Sequence, residues 1–227
     1  MTASHRKQLA HFAHPPACGG PVGLDGLRLA RVPLVPEIRL HLAEDAVVLW
    51  ARLEAEAGRA LTAPFWASAW LGGQALARFV LDNPSLVAGR RVLDLAAGSG
   101  LVGIAASIAG AAHVTANDVD PLAIAAIELN AGANEVEITV SDENLLDGDG
   151  GDADVVLAGD VLYSGSMALA FLPFLERATA RAQVLIGDPG RPTLPTERLS
   201  VVATYCAANA GTLADAEIDH VHVLRPV

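Results

Sequence analysis

The amino-acid sequence predicts an α/β domain in which a mostly parallel sheet carries helices on both faces. Three observations support this prediction. From Arg91 onward, short runs rich in β-branched residues alternate with alanine-rich stretches of helical length, an order typical of βαβ units. A glycine-rich segment at 96–103 follows the first of these runs. The last two strand-like runs are joined by a linker too short for a helix, which indicates an antiparallel hairpin.

The individual elements follow from the spacing of their apolar residues. The predicted strands are 91–95, 113–117, 136–140, 153–158, 183–187, 201–207 and 217–224. Helices are predicted at 100–110, 121–132 and 166–180. Because helices cover the connections, we expect the first five strands to run parallel and to be buried on both faces.

The chain of 227 residues divides into three predicted parts. Residues 1–36 combine proline, glycine and histidine with little periodicity, which predicts an irregular, partly disordered N-terminal segment. Residues 37–90 are expected to form a helical segment that packs on the core, with its first helix at about 44–56. Residues 91–227 are predicted to form the core itself, which also contains the ligand-binding site.

Composition and charge argue against several classes of protein. The formal net charge of −11 is opposite to the basic face that a nucleic-acid-binding protein needs. No apolar run reaches the length of a membrane span and no secretory signal is visible, so we expect a cytoplasmic protein without a membrane partner. Cys18 and Cys206 are too few and too far apart for a disulfide framework or a thiolate metal site. We expect a monomer that holds no metal.

The glycine segment raises the question of which nucleotide it binds. Gly98, Gly100 and Gly103 match the Gly-x-Gly-x-x-Gly pattern of Rossmann dinucleotide-binding folds. In that fold the first glycine follows the strand directly, whereas here Asp94 lies at the strand end and two alanines precede Gly98. A carboxylate that points into the site repels a pyrophosphate but suits the cationic amine of S-adenosyl-L-methionine. The pattern therefore favours S-adenosyl-L-methionine over NAD, and Gly103 carries little weight because any small residue can pack there.

Two acids near this segment have an alternative structural interpretation. Asp94 can also be a buried acid that accepts hydrogen bonds from loop N–H groups. Asp118 follows the second strand, where a carboxylate can bind both ribose hydroxyls of either nucleotide. Asp118 can also cap the next helix, but Asp120 is better placed for that, since Pro121 stands at the first helical position. We therefore interpret Asp118 as a cofactor-binding residue.

Asp160 and Tyr163 lie in the loop after the fourth predicted strand, at the sheet edge where such folds bind ligands. Their spacing resembles the Asn-Pro-Pro-Tyr loop of amino-methylating enzymes, with aspartate for asparagine and no prolines. A carboxylate there can hold an alkylamine for in-line attack, a reaction that depends mainly on positioning. Tyr163 can add an aromatic wall for the cation. A helix cap at Asp160 and a packed Tyr163 are the structural alternatives.

Two further segments are interpreted on spacing alone. "IGDPGRPTLP" contains Asp188 and Arg191 and is typical of a turn with a solvated arginine. Trp66 and Trp70 lie one helical turn apart, a spacing more typical of a core than of a ligand site.

Taken in order, five segments are similar to the seven-strand protein lysine methyltransferases, especially the electron transfer flavoprotein β-subunit lysine methyltransferases and their bacterial relatives. These segments are "PFWASAWLGGQALARFVLDNP", "RVLDLAAGSGLVGIAA", "VTANDVDPLAIAAIELN", "LAGDVLY" and "VLIGDPGRP". The similarity extends from about Val35 to the C-terminus. It implies a Rossmann-like class I methyltransferase fold, with a seven-stranded, mostly parallel sheet, helices on both faces and a terminal antiparallel hairpin.

The resemblance also implies roles for particular residues. The residues implied to contact S-adenosyl-L-methionine are Trp70, Gly98, Ser99, Gly100, Asp118 and Gly159, with Asp142 of "SDEN" near the adenine. Asp160 and Tyr163 are implied to face the substrate lysine, with Asp188 and Arg191 on the substrate side. Ala96 departs from the pattern, since many methyltransferases have glycine there.

The leading hypothesis is an S-adenosyl-L-methionine-dependent protein N-methyltransferase that acts on a lysine amine, with electron transfer flavoprotein β as the expected protein substrate. Within the same class, the alternatives are a ribosomal protein L11-type enzyme, whose Asn-Pro-Pro-Tyr-like loop is missing here, and a small-amine methyltransferase. Outside it, the alternatives are an NAD-dependent oxidoreductase and a catalytically silent cofactor-binding protein.

Overall fold

The computed structural model describes residues 26–192, 194–208 and 217–227, together with Leu9, Ala13, Gly23 and Ala210. The strands are β1 (Leu27–Val32), β2 (Val35–Ala43), β3 (Arg91–Leu95), β4 (His113–Asn117), β5 (Thr139–Ser141), β6 (Val155–Gly159), β7 (Gln183–Asp188), β8 (Leu199–Cys206) and β9 (His220–Pro226). The α-helices are α1 (Ala46–Ala57), α2 (Leu71–Asp82), α3 (Leu101–Ile108), α4 (Pro121–Ala133) and α5 (Gly165–Ala178).

The main sheet has seven strands in the order β5-β4-β3-β6-β7-β9-β8. Neighbouring strands from β5 to β7 pair in parallel, and β9 pairs antiparallel with both β7 and β8. This arrangement confirms the predicted α/β fold with its terminal antiparallel hairpin. The predicted strand at 136–140 is shorter than expected, because β5 pairs with β4 only through Thr139–Ser141.

An antiparallel hairpin of β1 and β2 precedes the main sheet. The predicted irregular segment is therefore wrong over residues 27–36, and its boundary at 36 falls inside β2; the prediction for residues 1–25 lies largely outside the described residues. The hairpin is held by tertiary contacts that no local pattern reveals. The N–H groups of Arg39 and His41 donate to the side-chain oxygens of Asn134 and Asn130 at 2.9 and 2.8 Å.

Alternate residues of the central strands face two separate cores, as expected for a sheet covered on both sides. On one face, Val92 and Leu157 pack with the apolar residues of α2, α3 and β2. On the other, Leu93 and Val156 pack with α5. α1 begins at the cap Asp45, close to the predicted start. The ligand site lies where the parallel strands end between these layers.

The expectations about membrane spans, cysteines and metal binding can be compared with the described residues. No α-helix in the described ranges is long and apolar enough to cross a membrane. Cys206 is a free, exposed cysteine, while Cys18 lies outside the described residues. Among the residues that the structure describes, no cluster of histidine, cysteine and acidic side chains could hold a metal ion.

Candidate active site

A cavity of about 950 Å³ opens at the edge of the sheet where β3, β4 and β6 end. Its volume is typical of sites that bind small molecules. Most of the predicted site residues line it, namely Trp70, Asp94, Gly98, Ser99, Asp118, Gly159, Asp160, Tyr163 and Arg191. Gly100, Asp142 and Asp188 lie outside the cavity lining, and their predicted contacts with cofactor and substrate stay predictions.

The loop after β3 is built from residues with left-handed backbone angles. Ala96, Gly98 and Gly100 have φ values of 53°, 54° and 80°. The alanine is unfavourable in this region by roughly 1–2 kcal/mol, which explains why glycine suits this position in other proteins. A Cβ at Gly100 would lie 3.2 Å from Ile127. Gly100 therefore allows α3 to begin against α4, a packing role that the sequence did not predict.

Asp94 is buried at the end of β3, and its Oδ2 accepts a hydrogen bond from the Gly103 N–H at 2.7 Å. That N–H belongs to the first turn of α3, where no carbonyl of the helix is available to it. Burial raises the pKa of Asp94 to about 7, although the bond from Gly103 opposes this. The structural alternative, a buried acid that accepts a loop N–H, is therefore confirmed. Asp94 also lines the cavity, and its contact with the cofactor stays a prediction.

Asp118 follows β4 and connects two loops of the site. Its Oδ2 accepts from the Gly98 N–H at 2.9 Å and its Oδ1 from the Asp120 N–H at 3.0 Å. Burial raises its pKa above the ordinary value. Each oxygen retains a second lone pair, which can accept a hydroxyl. Asp120 caps α4 by accepting from the Leu122 N–H at 2.9 Å, as the sequence predicts.

Asp160 follows β6 directly and is buried with a left-handed φ of 56°. Its Oδ2 accepts from the Gly73 N–H in the first turn of α2 at 2.8 Å, and its Oδ1 accepts from Arg191 Nη1 at 2.7 Å. Burial raises its pKa to about 6, and the charge and hydrogen bond of Arg191 counteract this. The alternative of a cap on the following helix is wrong, because Ser164 caps α5.

Asp188 is fully buried beneath the turn that carries Arg191. Its Oδ1 accepts from the N–H groups of Gly190 and Arg191 at 2.7 and 3.1 Å. Arg191 Nη1 lies 3.5 Å from Asp188 Oδ2. The turn predicted from spacing is confirmed, but its arginine is not solvated, since only 20% of the side chain is exposed. Asp188 supports the turn from below and does not face the substrate side of the cavity.

Aromatic rings stand at the cavity mouth. Phe65 and Tyr163 are 46% and 42% exposed, and their ring centroids are 5.9 Å apart. The Trp70 ring lies 6.0 Å from that of Phe65, and its Nε1 donates to the Phe65 carbonyl at 2.8 Å. Large exposed aromatic side chains that meet at a cavity are unusual on a surface without a ligand. Sequence reasoning missed Phe65, for which "PFW" carries no distinct signal.

Two other parts of the lining differ from expectation. Trp66 is buried, as predicted, yet it also lines the cavity. Its Nε1 has no hydrogen-bond partner among the described residues. Asp142 is exposed and outside the lining, whereas Asn144 and Leu145 of the same loop line it. The cavity wall in this loop therefore lies two or three residues beyond Asp142, and the contact of Asp142 with the adenine stays a prediction.

The double glycine of "WLGGQ" is a second feature that sequence reasoning left without a role. A Cβ on Gly72 would lie 2.3 Å from the carbonyl oxygen of Gly187, so α2 can approach β7 only with glycine at this point. This approach allows the Gly73 N–H to reach Asp160. The pair of adjacent glycines at the start of a helix is the sequence signal that could have indicated this close approach.

Comparisons with known proteins agree with this geometry. A family model described as ribosomal protein L11 methyltransferase (PrmA) matches residues 75–164. The electron transfer flavoprotein beta subunit lysine methyltransferase of Xenopus laevis is 43% identical over 162 residues, which are 70% of this chain and 65% of the relative. The homolog from Caenorhabditis elegans is 35% identical over 194 residues, which cover 78% of this chain and 79% of the relative.

A solved structure shows the same fold. The ribosomal protein L11 methylase from Lactobacillus delbrueckii subsp. bulgaricus superposes with a TM-score of 0.50 at 22% identity, covering 68% of this chain and 78% of that one. At that identity the similarity concerns the fold alone. The chain spans about 65% of the length of the frog relative.

Proposed function

Because the chain belongs to the family of electron transfer flavoprotein β-subunit lysine methyltransferases, we propose that it transfers a methyl group from S-adenosyl-L-methionine to a lysine side-chain amine of a protein. One observation carries this proposal. A buried, ion-paired carboxylate, Asp160, lies in the wall of a cavity whose mouth is formed by exposed aromatic rings. This combination suits an alkyl chain that ends in an amine.

The described residues fit S-adenosyl-L-methionine. Gly98 has a left-handed φ of 54° and lines the cavity, so its backbone is exposed to a ligand without a side chain in between. Trp66 Nε1 is a buried donor in the same wall and has no acceptor among the described residues, so a polar ligand can supply one. We assign Trp70, Gly98, Ser99, Asp118 and Gly159 to cofactor binding. When bound, the cofactor supplies the methyl group on a sulfonium centre.

The acceptor half of the site is assigned to Asp160, Tyr163 and Phe65. Asp160 accepts an N–H of the lysine amine and thereby directs the nitrogen lone pair. The rings of Tyr163 and Phe65 enclose the alkyl chain and exclude water. The amine attacks in its neutral form, and desolvation between these rings lowers its pKa from about 10.4 in water. Positioning of this kind supplies most of the rate in such a transfer.

The identity of the protein that accepts the methyl group is a separate and more specific proposal. The names of the relatives support electron transfer flavoprotein β as the substrate. The cytoplasmic location and the monomeric state stay predictions.

A ribosomal protein L11-type activity is the second candidate, since the family model match at 75–164 includes the cavity loops. The acceptor distinguishes the two candidates. A thermal-shift titration with NAD against S-adenosyl-L-methionine provides a separate test of the NAD-dependent alternative.

A methyl-transfer assay tests the proposal directly. Purified enzyme is incubated with labelled S-adenosyl-L-methionine and, in parallel, with electron transfer flavoprotein, ribosomal protein L11 and free lysine. We expect labelled lysine in the flavoprotein β subunit, identified by peptide mass spectrometry. Label on L11 alone would transfer the assignment to the second candidate. Cofactor binding without label on any protein, a cell lysate included, would contradict a methyltransferase activity.

A further inference from the structure

Arg191 and Asp160 form an ion pair in the wall of the cavity. The Arg191 guanidinium bonds Oδ1 of Asp160 at 2.7 Å and lies 3.5 Å from Oδ2 of Asp188. Asp188 itself fixes the turn through the backbone of Gly190 and Arg191. Asp188 thus contacts both the backbone and the side chain of Arg191, and the guanidinium points to Asp160.

We propose that Arg191 is a positioning residue whose guanidinium keeps the Asp160 carboxylate ionised and oriented toward the substrate amine, with Asp188 as its anchor. The effect of Arg191 on catalysis rests on the proposed function, whereas its effect on the ionisation of Asp160 does not. Arg191 does not contact the reacting atoms in this role. It acts through Asp160.

The groups around Asp160 make this role necessary. Burial opposes the charge on Asp160, and so does the negative charge of Asp188. The favourable contributions come from Arg191 and from the Gly73 N–H at the start of α2. The ring of His222 on β9 lies beside Gly190 in the same turn. Among the groups that act on the Asp160 carboxyl, Arg191 supplies the positive charge that favours its ionised form.

The pairing also affects the substrate. An uncompensated carboxylate would hold lysine as its ammonium form, which has no lone pair for attack. With Arg191 in place, the charge of Asp160 is partly offset, so the carboxylate attracts the ammonium form less strongly and can accept an N–H from the neutral amine. The arginine thereby favours the reactive form of the substrate while preserving the acceptor that orients it.

The experiment compares Arg191→Gln, Arg191→Lys and Arg78→Gln in the full chain. Arg78 is the matched control, because it is 21% exposed and also pairs two carboxylates, Glu37 and Asp82, both at 2.8 Å, outside the cavity lining. The titration of Asp160 is followed by ¹³C NMR of aspartate-labelled enzyme, with Asp160→Asn to assign the signal. The kcat/KM of methyl transfer is measured across the same pH range.

In Arg191→Gln we expect the titration midpoint of Asp160 to rise by about one pH unit or more. Because a midpoint that moves from about 6 to about 7 halves the ionised fraction at pH 7, we expect kcat/KM at that pH to fall about 2-fold or more, with a steeper loss at lower pH. We expect Arg191→Lys to retain part of the parent's titration midpoint and kcat/KM, and Arg78→Gln to change neither quantity. An unchanged Asp160 midpoint in folded Arg191→Gln would overturn the inference. If the parent enzyme methylates nothing, the proposed function fails, and the NMR titration still decides the role of Arg191.

Discussion

The Asp94 carboxylate accepts the Gly103 N–H at 2.7 Å, and a Cβ on Gly103 would lie 3.1 Å from that same oxygen. The acid and the glycine therefore depend on each other. The carboxylate satisfies an N–H in the first turn of α3, and the missing side chain lets it come close. Together they connect the end of β3 to α3 at the base of the cavity.

Gly103→Ala should destabilise the protein, because the added methyl group pushes the Asp94 carboxylate away from the only described donor it has. We expect the free energy of unfolding to fall by about 1–3 kcal/mol, measured by urea denaturation. Gly132→Ala in α4 is the matched control, since a Cβ there meets nothing within 4 Å. Alanine at 132 should leave stability unchanged or raise it by up to about 1 kcal/mol. Equal effects at both positions would contradict this account.

Asp94→Asn should change how stability depends on pH. Burial raises the pKa of Asp94 from 3.8 to about 7, so the folded protein binds this proton more tightly than the unfolded chain. The carboxyl therefore stabilises the protein most below pH 3.8, and this contribution is lost as the pH rises through about 7. Asparagine cannot ionise. Between those pH values, the free energy of unfolding of the variant should rise relative to that of the parent. Above them, the difference between the two should no longer change. A difference that is the same at every pH would refute the assignment.

Asp160→Asn and Asp160→Ala should lose methyl transfer and keep the cofactor site. We expect kcat/KM to fall by about 10²-fold or more, because the amine is no longer oriented. The Kd for S-adenosyl-L-methionine, measured by calorimetry, should change only a few-fold. Asp154→Asn is the control at the opposite end of β6, where the carboxylate also accepts a backbone N–H, that of Arg91 at 2.8 Å. Near-parental turnover in Asp160→Asn would remove Asp160 from the acceptor site.

Phe65→Ala should weaken binding of the acceptor more than binding of the cofactor. Loss of one aromatic wall is expected to raise the KM for the protein substrate by roughly 2- to 30-fold, the range of a cation–π contact. Phe65→Tyr should retain most of the affinity. Leu169→Ala removes an equally apolar side chain that is 80% exposed and lies outside the cavity lining, and it should have no effect. A KM that is the same for Phe65→Ala and Leu169→Ala would show that Phe65 is not at the acceptor entrance.

Much of the fold could be predicted because its signals are local. β3 and β4 have the bounds that the β-branched runs predict, and the Asp120–Pro121 cap begins α4 where a capping residue followed by proline indicates. The predicted positions of Asp118 and Asp160 at the sheet edge were also correct, since the ends of parallel strands meet at one edge. β1 and its pairing with β2 were missed because the hydrogen bonds that support the hairpin come from α4 and its C-terminal cap.

The sequence alone thus determined which segments become strands and helices, and which chemical groups arrive at the carboxyl edge of the sheet, because both depend on short-range periodicity and on topology. Only the tertiary structure decided where each group points. Asp94, Asp188 and Asp160 all accept from backbone N–H groups, and the donor to Asp160, Gly73, lies 87 positions away in the chain. A side chain's direction depends on neighbours that are distant in the chain, and a buried carboxylate takes whichever donor the packing brings within reach.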